Sequence, residues 1–352
     1  MTVAVTLPRT MDEITADWLT AALAGKYPGT EVTSLFVGTI VHGSATKIRL
    51  LLTYNDAGHM YRLPATMFAK GNFEAASGPD MAACARSEAI FYRDLAPQVE
   101  EWLNVPKCYF AGVDGETGDA FLLLEDLLAR NVSFGFALRP VNAETAKQTV
   151  GMLARFHAKY WDAPGIVRRE ITAGARLVTD TWMLEPNFSQ CAALPRFDLV
   201  APELRDRERF QRAAYRLWDL NAEGPHCLLL GDLHLGNMFF DADGSPGFLD
   251  MQGDTRGCWA HDFTEFLMTA LAVDDRRKLE RPLLEHYLDQ LRVHGVEVLS
   301  FDQAWLQYRR NTLWVATAAV CPVSSQHEPV CTAYTERAMT AVMDLGALAL
   351  LE

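Results

Sequence analysis

The sequence predicts an α+β fold in which a small β-rich N-terminal part precedes a larger, mostly helical C-terminal part. Three observations support this division. Strand-like apolar runs separated by turn residues fill much of residues 30–124. Helical periodicity dominates after residue 127. Within the helical part, a short β-hairpin pattern interrupts the helices at residues 238–249.

In the N-terminal part, strands and helices follow one another in a regular order. A first helix is predicted over residues 11–26, where apolar side chains recur at helical spacing. The turn residues Asn55-Asp56-Ala57-Gly58 separate the second strand from the third. Strands are predicted at Val32–Val41, Thr46–Tyr54, Met60–Lys70, Pro106–Val113 and Asp119–Leu124, with a helix at Pro79–Leu95.

The C-terminal part is predicted to consist of successive helices. Asn142 is a suitable N-cap for a helix that runs to about Trp161. His157 lies on the apolar face of that helix, which favours a histidine satisfied within the core. Further helices are predicted at Ala175–Met183, Ala201–Leu220, Trp259–Val273, Arg277–His294, Phe301–Ala319 and Ala333–Leu351.

Composition excludes several classes of protein. The 352 residues are 49% hydrophobic and carry a net charge of -13, which argues against nucleic acid as the main partner. No run of 18 apolar residues occurs, so no membrane span and no membrane partner are expected. Seven scattered cysteines without a CxxC motif indicate free thiols and a cytoplasmic location. The oligomeric state is not determined by these features.

Residues 231–252 contain the strongest chemical signal. Asp232 precedes Asn237 by five positions, and Asp250 follows at the end of the apolar run Phe248-Leu249. Phosphoryl transfer uses a carboxylate to receive the proton of an attacking hydroxyl, and an amide oxygen with a second carboxylate to hold Mg²⁺. The turn at residues 242–247 predicts a hairpin that carries Asp250 back beside the Asp232 loop.

Two charged residues upstream complete the pattern. Lys70 ends an apolar strand, and Glu88 follows in the next predicted helix. A strand lysine can hold the phosphates of a nucleotide, and a helix glutamate can fix the lysine by a salt bridge. The small part before a helical part also predicts a cleft between them, which is a common place for ligands.

In this order, Gly43-Ser44, Lys70, Glu88, Glu125-Asp126, Asp232, Asn237 and Asp250 resemble the kinase-like phosphotransferase superfamily of aminoglycoside phosphotransferases and choline kinases. The run Gly-Asp-Leu-His-Leu-Gly-Asn, with Leu-Asp-Met-Gln and Ala-His-Asp-Phe-Thr-Glu-Phe-Leu after it, is most similar to the ecdysteroid-kinase-like branch. The resemblance covers about residues 30–320 and is specific only at 225–267.

The resemblance implies a bilobal protein-kinase-like fold that binds ATP and Mg²⁺. Its N-lobe would span residues 1–124, its hinge 125–127 and its helical C-lobe 128–352. Asp232 would be the catalytic base, and Asn237 and Asp250 the metal ligands. The nucleotide would be held by Gly43, Ser44, Lys70, Glu88 and the hinge backbone of Glu125, Asp126 and Leu127, while Asp262 would be a structural carboxylate.

The sequence departs from the family at two positions, and alternatives stay open. Leu230 replaces the histidine usual before the Gly-Asp pair, and Met251 replaces an aromatic residue. The leading hypothesis is transfer of the γ-phosphate of ATP to a hydroxyl of a small molecule. The alternatives are a non-catalytic nucleotide-binding pseudokinase and a metallohydrolase built from His226, Asp232, His234 and Asp262. The acceptor and the choice between ATP and GTP stay undetermined.

Overall fold

In the computed structural model, residues 5–42, 45–71, 73, 79–163, 169–170, 178–251, 255–297 and 299–352 are described, without the side chains of 79–84, 169 and 170. The chain divides into two compact units. The first comprises Met1–Val132 and Phe248–Gly253, and the second comprises Ser133–Gly247 and Asp254–Glu352. Asp250 therefore belongs to the first unit, although the hairpin that leads to it lies mainly in the second.

The first unit is built around a five-stranded antiparallel sheet in the order β1-β2-β3-β5-β4. Alternate residues of β2 are buried, because one face of the sheet packs on the apolar core that includes Ile48, Leu50 and Phe121. The strands are β1 (Val32–Val41), β2 (Thr46–Tyr54), β3 (Thr66–Gly71), β4 (Cys108–Val113) and β5 (Ala120–Glu125); the helices are α1 (Ala16–Ala24), α2 (Asp56–Met60) and α3 (Pro79–Ile90).

The second unit is mostly helical and holds two small three-stranded sheets, β10-β9-β6 and β7-β11-β8. Its strands are β6 (Ser133–Phe134), β7 (Arg169–Glu170), β8 (Cys227–Leu229), β9 (Met238–Phe240), β10 (Pro246–Phe248) and β11 (Thr255–Gly257). Its helices are α4 (Ala143–Lys159), α5 (Asn187–Ala192), α6 (Arg207–Asn221), α7 (Ala260–Ala270), α8 (Val273–Val293), α9 (Phe301–Ala316) and α10 (Glu328–Leu345). None of the helices that can be described is long and apolar enough to cross a membrane.

Most predicted elements occur, and the differences have local causes. β1 and β2 have the predicted bounds, and Asn142 caps α4 by accepting a hydrogen bond from the Thr145 N–H at 2.9 Å. The predicted strand at Met60–Lys70 was wrong before residue 66. There the Asn55 side chain accepts the Gly58 N–H and caps the short helix α2, so the chain turns before β3 begins.

The helix predicted at Ala201–Leu220 begins later, at Arg207. Pro202 starts a single 3₁₀ turn, and Asp206 then caps α6 by accepting the Arg209 N–H at 2.7 Å. Residues 178–182 are helical within the segment predicted at Ala175–Met183, whose first three residues lie outside the described ones. The hairpin between β9 and β10 forms, and a Cβ at Gly247 would meet the Phe239 ring at 2.3 Å. Only glycine fits this close approach.

Candidate active site

Lys70, Glu88 and Asp250 meet inside the first unit. The Lys70 Nζ atom lies 2.6 Å from Glu88 Oε2 and also forms an ion pair with Asp250 Oδ1. The Lys70 side chain is 9% exposed and that of Glu88 is 6% exposed, so both charges are largely removed from water. Since a buried charge is tolerated only when it is paired, the two carboxylates define where the ammonium group sits.

The charges of this cluster shift the pKa values of its members. Burial lowers the pKa of Lys70, but Glu88 and Asp250 outweigh burial and raise it above its usual value. Burial alone would raise the pKa of Asp250, yet Lys70 and Lys47 lower it to about 2. Asp250 also has a φ of 49°, a left-handed conformation that is uncommon outside glycine. The site therefore holds an ionised carboxylate in a strained backbone position, a combination typical of functional residues.

A second lysine takes part in this cluster. Lys47 pairs with Lys70 across strands β2 and β3, and its Nζ atom lies 3.5 Å from Asp250 Oδ2. Sequence reasoning missed Lys47, since a lone exposed-looking lysine on a strand carries no motif. The available signal was that Lys47 stands between the buried residues Thr46 and Ile48 on β2. Its side chain therefore lies on the opposite face of the sheet from theirs, which is the face that carries Lys70.

The segment after β5 is fixed by the side chain of Asp126. Asp126 is 2% exposed and accepts hydrogen bonds from Arg49 Nε at 2.7 Å and from the Leu128 N–H at 3.0 Å. The Glu125 side chain accepts the backbone N–H of Lys107 at 3.1 Å. These side chains hold the backbone of residues 125–127 in one conformation. Their carboxylates are thus engaged by protein donors.

Asp232 and Asn237 form a separate arrangement in the second unit. Gly231 has a φ of 88°, so the chain makes a left-handed turn directly before Asp232 that other residues would resist. The Asn237 amide donates to the Asp232 carbonyl at 3.0 Å and to Asp232 Oδ2 at 2.9 Å. This orients Asn237 so that its oxygen, Oδ1, is the atom with metal-ligand chemistry. An amide oxygen here and an ionised carboxylate at Asp250 are donors of the kind that Mg²⁺ prefers.

Helix α7 holds the Asp232 loop through three polar side chains at helical spacing. Asp262 accepts the N–H groups of Leu230 at 2.6 Å and Gly231 at 3.1 Å. Glu265 accepts the Leu233 N–H at 2.9 Å, and Thr269 Oγ1 accepts the Leu235 N–H at 3.2 Å. The structural role expected of Asp262 is thus present, and Glu265 and Thr269 extend it. Every residue of α7 is buried, and polar residues on a buried helix are a sequence signal for hydrogen-bond partners inside the protein.

Glu265 is electrostatically coupled to Asp232. Burial raises the pKa of Glu265 well above its usual value, and the negative charges of Asp232 and Asp262 raise it further. Burial thus favours the neutral form of Glu265 more than water does. His234 lies on the other side of Asp232, with Nε2 at 3.7 Å from Asp232 Oδ1, while its Nδ1 is buried and has no hydrogen-bond partner among the described residues.

The residues of the metallohydrolase alternative serve other purposes. His226 Nε2 is hydrogen-bonded to the carbonyl of Asn221 at 2.9 Å. Asp262 is used by the loop N–H groups and by His157, which is fully buried and also hydrogen-bonded to Tyr287 at 2.6 Å. Within the described part of the chain, no three His, Cys, Asp or Glu side chains form a group that could hold a metal ion. The six described cysteines, 108, 191, 227, 258, 321 and 331, are free thiols.

The structure thus brings together the residues of each half of the expected site. Lys70, Glu88 and Asp250 meet in the first unit, and Asp232 meets Asn237 in the second. Gly43 and Ser44, expected to bind phosphate, lie outside the described residues. Leu230 and Met251, which depart from the family pattern, are both buried, and the Leu230 N–H binds Asp262.

The family model described as the phosphotransferase enzyme family matches residues 76–299, which is more than half of the chain. The chain belongs to the phosphotransferase enzyme family. No curated protein matches it by sequence. The match confirms the expected phosphotransferase family and a kinase-type enzyme. It does not identify the ecdysteroid-kinase-like branch.

Solved structures give the fold of this phosphotransferase. A choline kinase from Streptococcus pneumoniae is 12% identical, with a TM-score of 0.52 over 95% of this chain and 99% of its own. That likeness confirms the protein-kinase-like fold with a β-sheet N-terminal region and a helical C-terminal region. An aminoglycoside phosphotransferase from Streptomyces rimosus (16% identity, 87% and 97% coverage, TM-score 0.46) and a macrolide 2'-phosphotransferase from Brachybacterium faecium (16%, 93% and 97%, 0.44) are also similar.

Proposed function

We propose that this phosphotransferase moves the γ-phosphate of ATP to a hydroxyl group of a small molecule, in a reaction that requires Mg²⁺. The observation that carries the proposal is the buried ion pair of Lys70 with Glu88 and Asp250. Burying the charges of Lys70 and Glu88 is costly, and it serves no packing purpose that apolar residues would not meet better. A site for a charged ligand gives the cluster a purpose.

In this proposal, the first unit binds the nucleotide. Lys70 contacts the phosphates, and Glu88 keeps its ammonium group in position. Backbone N–H groups of Gly43 and Ser44 would cover the phosphates. The adenine would be hydrogen-bonded by backbone groups of Glu125, Asp126 and Leu127. The Glu125 side chain accepts the Lys107 N–H, and the Asp126 side chain accepts from Arg49 and the Leu128 N–H.

Asn237 and Asp250 would hold the magnesium ion through oxygen atoms. The bound ion would neutralise phosphate charge and so help the leaving group depart. Asp250 is suited to this because its carboxylate stays ionised down to about pH 2. Asn237 is suited because its amide nitrogen already donates to Asp232, which leaves the amide oxygen as its ligand atom.

Asp232 would act as the base. The acceptor oxygen forms a bond to the γ-phosphorus, the bond from that phosphorus to the bridging oxygen of the nucleotide breaks, and the acceptor proton passes to Asp232. The hydrogen bonds of Asn237 to Asp232, and those of α7 to the loop, fix the carboxylate before substrate arrives. Catalysis would come from such positioning and from electrostatics, without a covalent intermediate on the protein.

The acceptor is a hydroxyl-bearing small molecule of unassigned class. The similar structures include enzymes named for aminoglycosides, macrolides and choline, which differ widely in shape. The motif at residues 231–267 is most similar to the ecdysteroid-kinase-like branch, and we propose that branch for this chain. We infer a cytoplasmic location from the scattered, unpaired cysteines.

The test is the variant Asp232→Asn, with Asp243→Asn as a control on an exposed turn. We expect Asp232→Asn to lose at least about a hundredfold in acceptor phosphorylation, because general base catalysis contributes about that much. Nucleotide affinity should stay within about twofold, since Asp232 does not contact the phosphates in this proposal. An ATP-consumption screen over hydroxylated metabolites and antibiotics supplies the acceptor. Full activity in Asp232→Asn, with a correct acceptor, would contradict the assigned role.

The alternatives predict different results. A pseudokinase would bind Mg–ATP but show no ATP turnover that any acceptor stimulates; Leu230 is the residue that favours it. A metallohydrolase would contain tightly bound Zn²⁺ after purification and show no thermal shift with ATP.

A further inference from the structure

The two lysines of the first unit share one carboxylate, and this arrangement carries a further inference. Lys47 and Lys70 are directly paired residues of antiparallel strands, so their side chains emerge on the same face of the sheet, side by side. Like charges at such positions repel each other. Asp250 relieves the repulsion, because its two oxygens contact one lysine each.

The two contacts differ in strength. Lys70 is held in place, because its side chain is only 9% exposed and its Nζ atom also lies 2.6 Å from Glu88. Lys47 makes a longer contact of 3.5 Å with Asp250, and its side chain is 38% exposed. Within the described part of the chain, Asp250 is the one carboxylate that forms an ion pair with Lys47. With a long flexible stem and a single loose contact, Lys47 is the lysine that can move.

The charge balance of the cluster shows what would make it move. With Glu88 and Asp250 ionised, the two ammonium groups and the two carboxylates sum to zero. A divalent cation at Asp250 would add two positive charges beside both lysines, and the repulsion would be large at this distance. A polyphosphate brings the compensating negative charge. Lys47 would then gain a phosphate oxygen as its partner in place of Asp250.

We propose that Lys47 is a second phosphate-binding lysine, which releases Asp250 and binds a nucleotide phosphate when the metal–nucleotide complex enters. The inference rests on the proposed function, because it uses the same site. In the absence of ligand, Lys47 is paired with one oxygen of Asp250. Divalent metal and nucleotide would consequently bind together rather than in sequence.

The experiment compares Lys47→Met with Lys47→Arg and with Lys278→Met, which removes the same charge from an exposed position of α8. Calorimetry measures the affinities of Mg–ATP, Mg–ADP and AMP. Lys47→Met should weaken Mg–ATP binding by about tenfold or more, as expected for the loss of a charge-assisted hydrogen bond. AMP affinity should change by less than about twofold, and Lys47→Arg should restore most of the Mg–ATP affinity.

A second measurement uses Mn²⁺ alone, followed by its EPR signal, as a probe of Asp250. Removing the competing ammonium group should tighten Mn²⁺ binding several-fold in Lys47→Met and leave it unchanged in Lys278→Met. These opposite signs for metal and nucleotide are not expected from a variant that merely unfolds.

Four results would overturn the inference. If Lys47→Met and Lys278→Met bind Mg–ATP with equal affinity, Lys47 does not contact a phosphate. An equal loss of AMP affinity would show that Lys47 has a structural role and does not bind a distal phosphate. Unchanged or weaker Mn²⁺ binding in Lys47→Met would contradict the competition between Lys47 and metal for Asp250. If the wild-type protein binds no Mg–ATP, the proposed function itself fails, and this inference with it.

Discussion

The charged cluster around Lys70 and the loop that carries Asp232 are held by different forces. Lys70, Glu88, Lys47 and Asp250 are held by direct attraction between side-chain charges. The Asp232 loop is held by its own backbone N–H groups, which donate to acceptors on helix α7. The first arrangement can exchange partners when another charge arrives, whereas the second has no mobile partner to lose.

This difference fits the two tasks in the proposed function. A nucleotide site must rearrange as a highly charged ligand enters and leaves, and the partly exposed ion pair of Lys47 with Asp250 can do so at small cost. A general base must already be held in position, before substrate binds, to lie within hydrogen-bond distance of the proton that it will accept. Backbone hydrogen bonds to a buried helix preorganise it. The following variants test whether the two regions differ in this way.

The largest effect on stability is expected from Asp262→Ala. Asp262 is fully buried and accepts hydrogen bonds from Leu230 and Gly231 and bonds to His157. Its loss would leave these groups unsatisfied and lower the free energy of unfolding by about 3–5 kcal/mol. Urea unfolding measures it, with Asp274→Ala on an exposed position as the control. A loss equal to that of the control would mean that the loop does not depend on α7.

A smaller loss is expected from Glu88→Gln. Lys70 would keep Asp250 as a partner, so only one of its two ion pairs is removed. We expect the free energy of unfolding to fall by about 2 kcal/mol, which is the range of hydrogen bonds to charged groups. Urea unfolding is again the measurement, and Glu208→Gln, in an exposed pair, is the control. Stability equal to that of the control would show that Asp250 alone can hold Lys70.

The effect that is smallest near pH 5, and that grows as the pH rises, is expected from Glu265→Gln. Burial and the charges of Asp232 and Asp262 raise the pKa of Glu265, so the folded wild type loses stability as the pH rises above 4.5. Glutamine is neutral at every pH and can still accept the Leu233 N–H. The variant should therefore become more stable than wild type as the pH rises, by at most about 1.4 kcal/mol per pH unit.

Thermal unfolding at about pH 5 and about pH 8 measures this difference. Asp250 has the opposite dependence, because its pKa is lowered to about 2 and its contribution to stability is lost only as the pH falls from about 4 to about 2. Parallel unfolding curves for wild type and Glu265→Gln over the whole range would contradict the raised pKa.

Local sequence was enough to predict the elements that carry the site. The bounds of β1 and β2 follow from alternation and turn residues, and Asn142 marks the start of α4 because its side chain caps a helix locally. The order of Lys70, Glu88, Asp232, Asn237 and Asp250 predicted the family that the chain belongs to. The early strand at Met60 was mistaken because a single Asn55 cap outweighed an apolar run.

Neighbours a few positions apart along the chain were enough to show which residue types stand on which strand, loop or helix. Which charges meet depends on the folded chain. Lys47 and Asp250 are separated by 203 positions, and Glu265 reaches Leu233 across 32. Coulomb attraction and burial act over distances in space, so no local pattern could show that Asp250 binds two lysines or that burial and Asp232 raise the pKa of Glu265.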